Sequence, residues 1–155
     1  VLPRIGVVLG PGGGALAKML PAFKLGMGGV IGSGQQYFSW IHIEDMIRLL
    51  CQSISDRDYR GPFNATAPQP VRNHEFTKAL GRVLNRPTAI PAPSFALKAA
   101  LGEASTTILG GQRVLPEQVQ AWGFEFEFPE IAQALSNVLK ASRADSAQGA
   151  SQSAS

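Results

Sequence analysis

The strongest constraint on this chain is a short apolar run, Arg4-Ile-Gly-Val-Val-Leu-Gly10, closed by Pro11 and followed by Gly12-Gly-Gly14. A run this short, rich in β-branched residues and ended by Gly-Pro, favours a buried strand over a helix. Ile5, Val7 and Leu9 fall on one face and Val8 on the other, so a strand over about Leu2 to Leu9 is expected to be central and covered by helices on both sides. After the glycine turn, Leu16, Met19, Leu20 and Phe23 recur at helical spacing around Pro21, which predicts a short or kinked helix over Ala15 to Leu25.

Gly26-Met-Gly-Gly29 and Gly32-Ser-Gly34 read as a mobile, close-turning connection into a strand over Gln36 to His42. Ile43-Glu-Asp45 opens an amphipathic helix to about Ser55, with its acidic pair in the first turn, where the helix dipole favours negative charge. Residues 56–60 read as a solvated loop, and 61–66 as a short strand before the Pro68-Gln-Pro70 turn. Asn73 is expected to cap a helix to Leu84, and Arg86-Pro87 to stop it. Beyond it come a strand over Thr88 to Ala92, a helix capped by Ser94, a further helical segment over Glu103 to Leu109, and a short helix from Pro116 to Ala121. Phe124-Glu-Phe-Glu-Phe128 alternates with period two and is read as a half-buried strand with one aromatic, core-facing side; a helix follows from Glu130 to Lys140.

Residues 141–155 carry almost no side chain able to offset chain entropy by burial, so a disordered tail is expected there. The chain starts at Val1, inside a strand-like run and without Met, and is therefore read as a fragment.

Composition narrows the function classes. The net charge of +3 comes from scattered Lys and Arg with no aromatic interleaving, which gives nucleic-acid binding little support. A lone Cys51 and only two histidines, His42 and His74, supply neither a disulfide framework nor a metal motif. No apolar stretch approaches the roughly 20 residues that span a bilayer, and no secretory pattern opens the chain, so a cytoplasmic setting without membrane contact is expected.

Gly10-Pro-Gly12-Gly-Gly-Ala15 formally matches a dinucleotide fingerprint, which would bind a pyrophosphate on backbone N–H groups. An acidic residue for the ribose should follow a second strand about twenty residues on, but the first one is Glu44. Neither Tyr37 nor Tyr59 is followed by Lys four residues later, so a phenol acidified in that way is absent. Ser39, His42 and Asp45 fail as a triad, because Ser39 and His42 would leave opposite faces of one strand. Trp40 and His42 share the other parity, as core groups or as ligand contacts. Lys24, Gln35 and Gln36 flank the glycine-rich connection, either as donors to a ligand or as ordinary exposed residues, and Arg113 either reaches an anionic ligand or lies on the surface.

Taken in order, Arg4 to Gly10, Gly12-Gly-Gly14, Gly28-Gly29, Gly32-Ser-Gly34, Ser39-Trp-Ile-His-Ile-Glu-Asp45, Gly110-Gly-Gln-Arg-Val-Leu-Pro116 and Gly123-Phe to Phe128-Pro129 resemble the C-terminal half of the atypical extended short-chain dehydrogenase/reductases. These are the NAD-dependent epimerase/dehydratase-like proteins of the epimerase family group. The resemblance implies an α/β fold: the C-terminal part of a Rossmann-type NAD(P)-binding domain over residues 1–92, then a small substrate lobe over 93–140. It implies NADP or NAD as cofactor, with the phosphate-binding motif and catalytic residues outside this chain. Cofactor contacts would fall at Val8 with Arg4 and Leu9, and substrate contacts at Lys24, Gln35, Gln36, Trp40 and Arg113, with residues 10–36 lining the cleft. The whole enzyme would move a hydride between a small-molecule substrate and the nicotinamide, and this chain alone would be inactive. A complete, non-catalytic ligand- or partner-binding module is the alternative, and an independent dinucleotide domain using Gly10 to Ala15 is a third reading.

Overall fold

The computed structural model describes residues 1–92, 102 and 111–152, with side chains placed through residue 147. The opening run is extended throughout, but it changes partners at Gly6. Strand β1 (Leu2–Ile5) pairs in parallel with β5 (Pro62–Ala65), whereas β2 (Val7–Leu9) pairs in parallel with β4 (Trp40–His42). At the joint, Gly6 N–H donates to Ala65 O (3.1 Å) and Val7 N–H donates to Ser39 O (2.9 Å). Consecutive amides of an extended chain point to opposite edges, so β5 and β4 flank the run on its two sides. The neighbours crowd in so closely that a Cβ at Gly6 would lie 2.7 Å from the Ser39 carbonyl oxygen.

The run is thus deeply buried only in its second half. Leu9 is fully buried, whereas Leu2 and Ile5 remain 68% and 53% exposed. That corrects the expectation of helices covering both faces along its whole length.

The predicted strand over Gln36 to His42 also divides, into β3 (Tyr37–Phe38) and β4. The former pairs antiparallel with β6 (Val71–Arg72), a two-residue strand that the proline-flanked turn concealed. Along β4 the period-two rule holds. Trp40 packs into a cluster with Leu9, Leu16, Phe76 and Leu135, while Ile41 packs on the other side with Leu49, Phe63 and Val119.

The first cluster is closed by α1 (Gly14–Lys24), α3 (Asn73–Leu84) and α5 (Ile131–Gln152); the second by α2 (Ile43–Ser55) and α4 (Glu117–Ala121). Tyr59, placed in a solvated loop by its charged neighbours, is buried instead, its ring 4.3 Å from that of Trp122.

Three local expectations need correction. Asn73 is the first residue of α3 rather than its cap: Arg72 precedes the helix and its N–H donates to Glu75 Oε2 (2.7 Å). The Asn73 side chain is free to reach outward, and its Oδ1 accepts from Ile31 N–H (2.9 Å). Thr88 to Ala92 forms no strand; a single bridge joins Ala92 to Ile31. Phe124 to Phe128 is not a strand either: Phe128 joins the first cluster, while Phe124 and Phe126 pack on the second.

Helix α5 passes Lys140 and continues through most of the segment read as a disordered tail. An Ala-rich stretch extends an already nucleated helix without needing burial, because each added residue gains a hydrogen bond and loses little side-chain entropy. The helices expected at Ser94 and over Glu103 to Leu109 lie outside the described residues.

Candidate functional site

A cleft of about 780 Å³ opens beside β1, lined by Arg4, Ile5 and Val7, by Tyr37 and Ser39, by Asn64 and Thr66, and by residues 111–115 with Glu117. Residues 111–115 cross the strands as an extended strap, fastened from beneath. Ser39 Oγ donates to Gln112 O (2.8 Å) and accepts from Val114 N–H (3.1 Å). Asn64 Nδ2 donates to Leu115 O (3.0 Å), and Thr66 Oγ1 donates to Val114 O (3.4 Å). At the strap's start, Tyr37 N–H donates to Gly111 O (3.3 Å), and any Cβ on Gly111 would run into the Tyr37 carbonyl oxygen. Only glycine lets the two backbones approach so closely.

Of the residues singled out from sequence, the cleft brings together Arg4 and Arg113, both exposed. Val8 is half-buried against the second cluster, on the neighbouring face of the same run. Leu9 and Trp40 are fully buried core residues and present no side chain to a ligand; the Trp40 indole N–H is taken by Gln69 O (3.1 Å). Gln36 is likewise committed, Nε2 donating to Ile31 O (2.9 Å), while Gln35 and Lys24 are exposed away from the cleft lining.

Residues 10–36 do not line the cleft. The N-terminal end of α3 holds the later part of this segment instead: His74 N–H donates to Gly34 O (3.1 Å), Asn73 N–H to Gln36 O (2.9 Å) and Arg72 Nη1 to Gln35 O (2.7 Å). Glycines that read as a mobile connection are what let this backbone lie against the helix. Sequence reasoning passed over Asn64 and Thr66 and weighed Ser39 only as a triad member; the signal was their shared position at the β3–β4 joint and along or just past β5, visible only once the pairing is known.

The members of the rejected triad have separate tasks: Ser39 holds the strap, while His42 and Asp45 do structural work at the far end of β4. His42 Nδ1 accepts from Glu44 N–H (3.2 Å), capping α2, while Nε2 bonds Asn137 Oδ1 (3.1 Å) and the ring stacks on Phe128 at 3.9 Å. Because Nδ1 must accept, the imidazole is neutral, and burial lowers its pKa below 6.5 against the raising influence of Glu44. Asp45 is fully buried. Its Oδ1 accepts from Glu127 N–H and Arg48 Nη1, and its Oδ2 from Phe128 N–H, all at 2.9 Å.

Strand β2, the glycine turn and α1 do stand in strand–turn–helix order, and a Cβ at Gly12 or Gly13 would meet nothing. The acidic residues beyond the adjoining strand are Glu44 and Asp45 in the first turn of α2, later than the roughly twenty residues that a fingerprint requires, and Asp45 is fully committed. The turn does not fit a self-sufficient dinucleotide site.

The parallel pairing and the two-sided helical packing define an α/β fold of Rossmann type. Comparison with known proteins places it more closely. The family described as a domain of unknown function (DUF1731) matches residues 92–138. The chain is 50% identical over 139 residues to "Epimerase family protein SDR39U1 homolog, chloroplastic" of Arabidopsis thaliana, covering 90% of this chain and 40% of that protein. It is 45% identical over 140 residues to the epimerase family protein SDR39U1 of Mus musculus, covering 90% and 48%.

Human epimerase family protein SDR39U1 (isoform2), solved with NADPH, superposes with a TM-score of 0.82 at 41% identity, over 89% of this chain and 47% of that one. UDP-N-acetylglucosamine 4-epimerase from Bacillus cereus, at 9% identity and a TM-score of 0.66 over 91% and 45%, shares the fold. This chain is therefore a homologue of the epimerase family proteins, as its ordered motifs imply, and it spans about half the length of the curated relatives it matches. Among the described residues no helix is long and apolar enough to cross a membrane. The chloroplastic relative lends the cytoplasmic expectation no support.

Proposed function

We propose that these residues form the substrate cleft and one edge of the cofactor site of an NAD(P)-dependent epimerase or oxidoreductase-like enzyme, and that they have no activity alone. Residues 1–92 are then the closing part of the Rossmann-type domain and 93–140 the small substrate lobe. A cytoplasmic setting belongs to the same proposal. The observation that carries it is the cleft: two arginines without partners among the described residues line it beside the β1–β2 run, in a chain that superposes on a relative solved with NADPH.

The cleft chemistry suits such a ligand. Ile5, Gly6 and Val7 give the lining an apolar stretch, with Arg4 beside it to meet negative charge. When bound, the cofactor supplies hydride transfer. The residues here orient the substrate through Arg113 and limit water access with the strap.

To test this, the matching segment of human SDR39U1 (isoform2) is replaced by this chain, and NADPH binding is followed by fluorescence. The chimera is expected to bind NADPH, with Arg4→Ala weakening it by about ten-fold, the range for losing one charge-assisted hydrogen bond. A folded chimera that binds no NADPH would overturn the proposal.

A further inference from the structure

The polar side chains around the cleft divide into two sets. Ser39, Asn64 and Thr66 direct hydrogen bonds to the strap backbone. Arg4 and Arg113 make no ion pair or hydrogen bond among the described residues, and Glu117 is the one carboxylate among the lining residues. Two guanidinium groups on the lining of one cleft make it positive and favour an anion there. Their planar forks match the oxygens of phosphate or carboxylate.

Ser39 stands apart within the first set. Its single hydroxyl bonds the residues on both sides of Arg113, giving its proton to Gln112 O and receiving that of Val114 N–H. Asn64 and Thr66 engage the strap only at Val114 and Leu115. The direction in which Arg113 leaves the strap is thus set by Ser39 more than by any other lining side chain.

We propose that Arg113 holds an anionic group of the substrate, a phosphate or a carboxylate, and that Ser39 is the positioning residue that sets Arg113 for it. The proposal rests on reading the cleft as a ligand site.

The 155-residue chain, labelled with 15N, is titrated with inorganic pyrophosphate and separately with malonate at fixed ionic strength, following the Arg113 Nε–H and Val114 N–H resonances. A saturable movement of Arg113 Nε–H is expected with at least one probe, and the probe that saturates first identifies the preferred oxyanion. Arg113→Gln should weaken binding by about ten-fold and Ser39→Ala by about three-fold, with Ser39→Thr restoring it. In the Arg113→Gln background, Ser39→Ala should add nothing, an outcome that general loosening of the fold would not give. If Ser39→Ala loses its dispersed spectrum, Ser39→Cys carries the comparison.

No movement of Arg113 with either anion at millimolar concentration, or an equal Ser39 effect in both backgrounds, overturns the proposal. Neither result bears on NADPH binding by the chimera, so this proposal and the functional reading fail separately.

Discussion

The two ends of the β3–β4 segment use polar residues in opposite ways. At the His42 end every principal polar group is committed: His42 joins α2 to α5, and Asp45 gathers two backbone amides and Arg48. At the Ser39 end the polar groups hold a strap in place, and the charges above it, Arg4 and Arg113, remain without partners among the described residues. Buried polar groups that are fully satisfied make an arrangement rigid and unique, whereas unpaired charges beside a cavity are available to a ligand. The His42 end therefore fixes the fold, and the Ser39 end is where it has chemistry to offer.

Breaking the committed end should cost most. Asp45→Ala strands the amides of Glu127 and Phe128 and should lower stability by about 3 kcal/mol, read by urea denaturation. Gly111→Ala should cost about 2 kcal/mol by pushing the strap off Tyr37, and it should abolish the pyrophosphate or malonate response at Arg113. An unchanged response would mean that the strap does not carry the anion contact.

A third test is the pH dependence. Because the folded-state pKa of His42 lies below 6.5, the unfolded chain binds more protons at mildly acidic pH. The contribution of neutral His42 is complete above pH 6.5 and is lost as pH falls through the window below it, at no more than about 1.4 kcal/mol per pH unit. His42→Asn should remove that slope, while Ser39→Ala should keep it. The smallest effect belongs to the exposed end of α5: deleting residues 143–155 should change stability by less than about 0.5 kcal/mol, since those described there are exposed.

Much of this arrangement was legible from residues alone. The opening run, α1 around Pro21, α2 with its acidic first turn and α3 through Leu84 all follow from periodicity and turn chemistry, because each is decided within its own segment. What escaped was decided by partners distant in sequence. Phe124 to Phe128 alternates as a strand should, yet the amides of Glu127 and Phe128 are taken by Asp45, some eighty residues earlier.

Trp40 read as a core group or a ligand contact, and Leu9 entered through the resemblance; packing buries both side chains wholly in the core. Arg113 could be named from its glycine-flanked position, but the hold of Ser39 on it could not, since nothing local links that hydroxyl to a strap more than seventy residues away. The homology supplied the cofactor class, which periodicity does not encode.

The comparison between the two ends is tested most directly by hydrogen–deuterium exchange on the chimera, with and without NADPH. Added protection is expected at residues 4–8 and 111–115, and none at 42–45 or 125–128. Protection confined to the His42 end, with the strap unchanged, would contradict it.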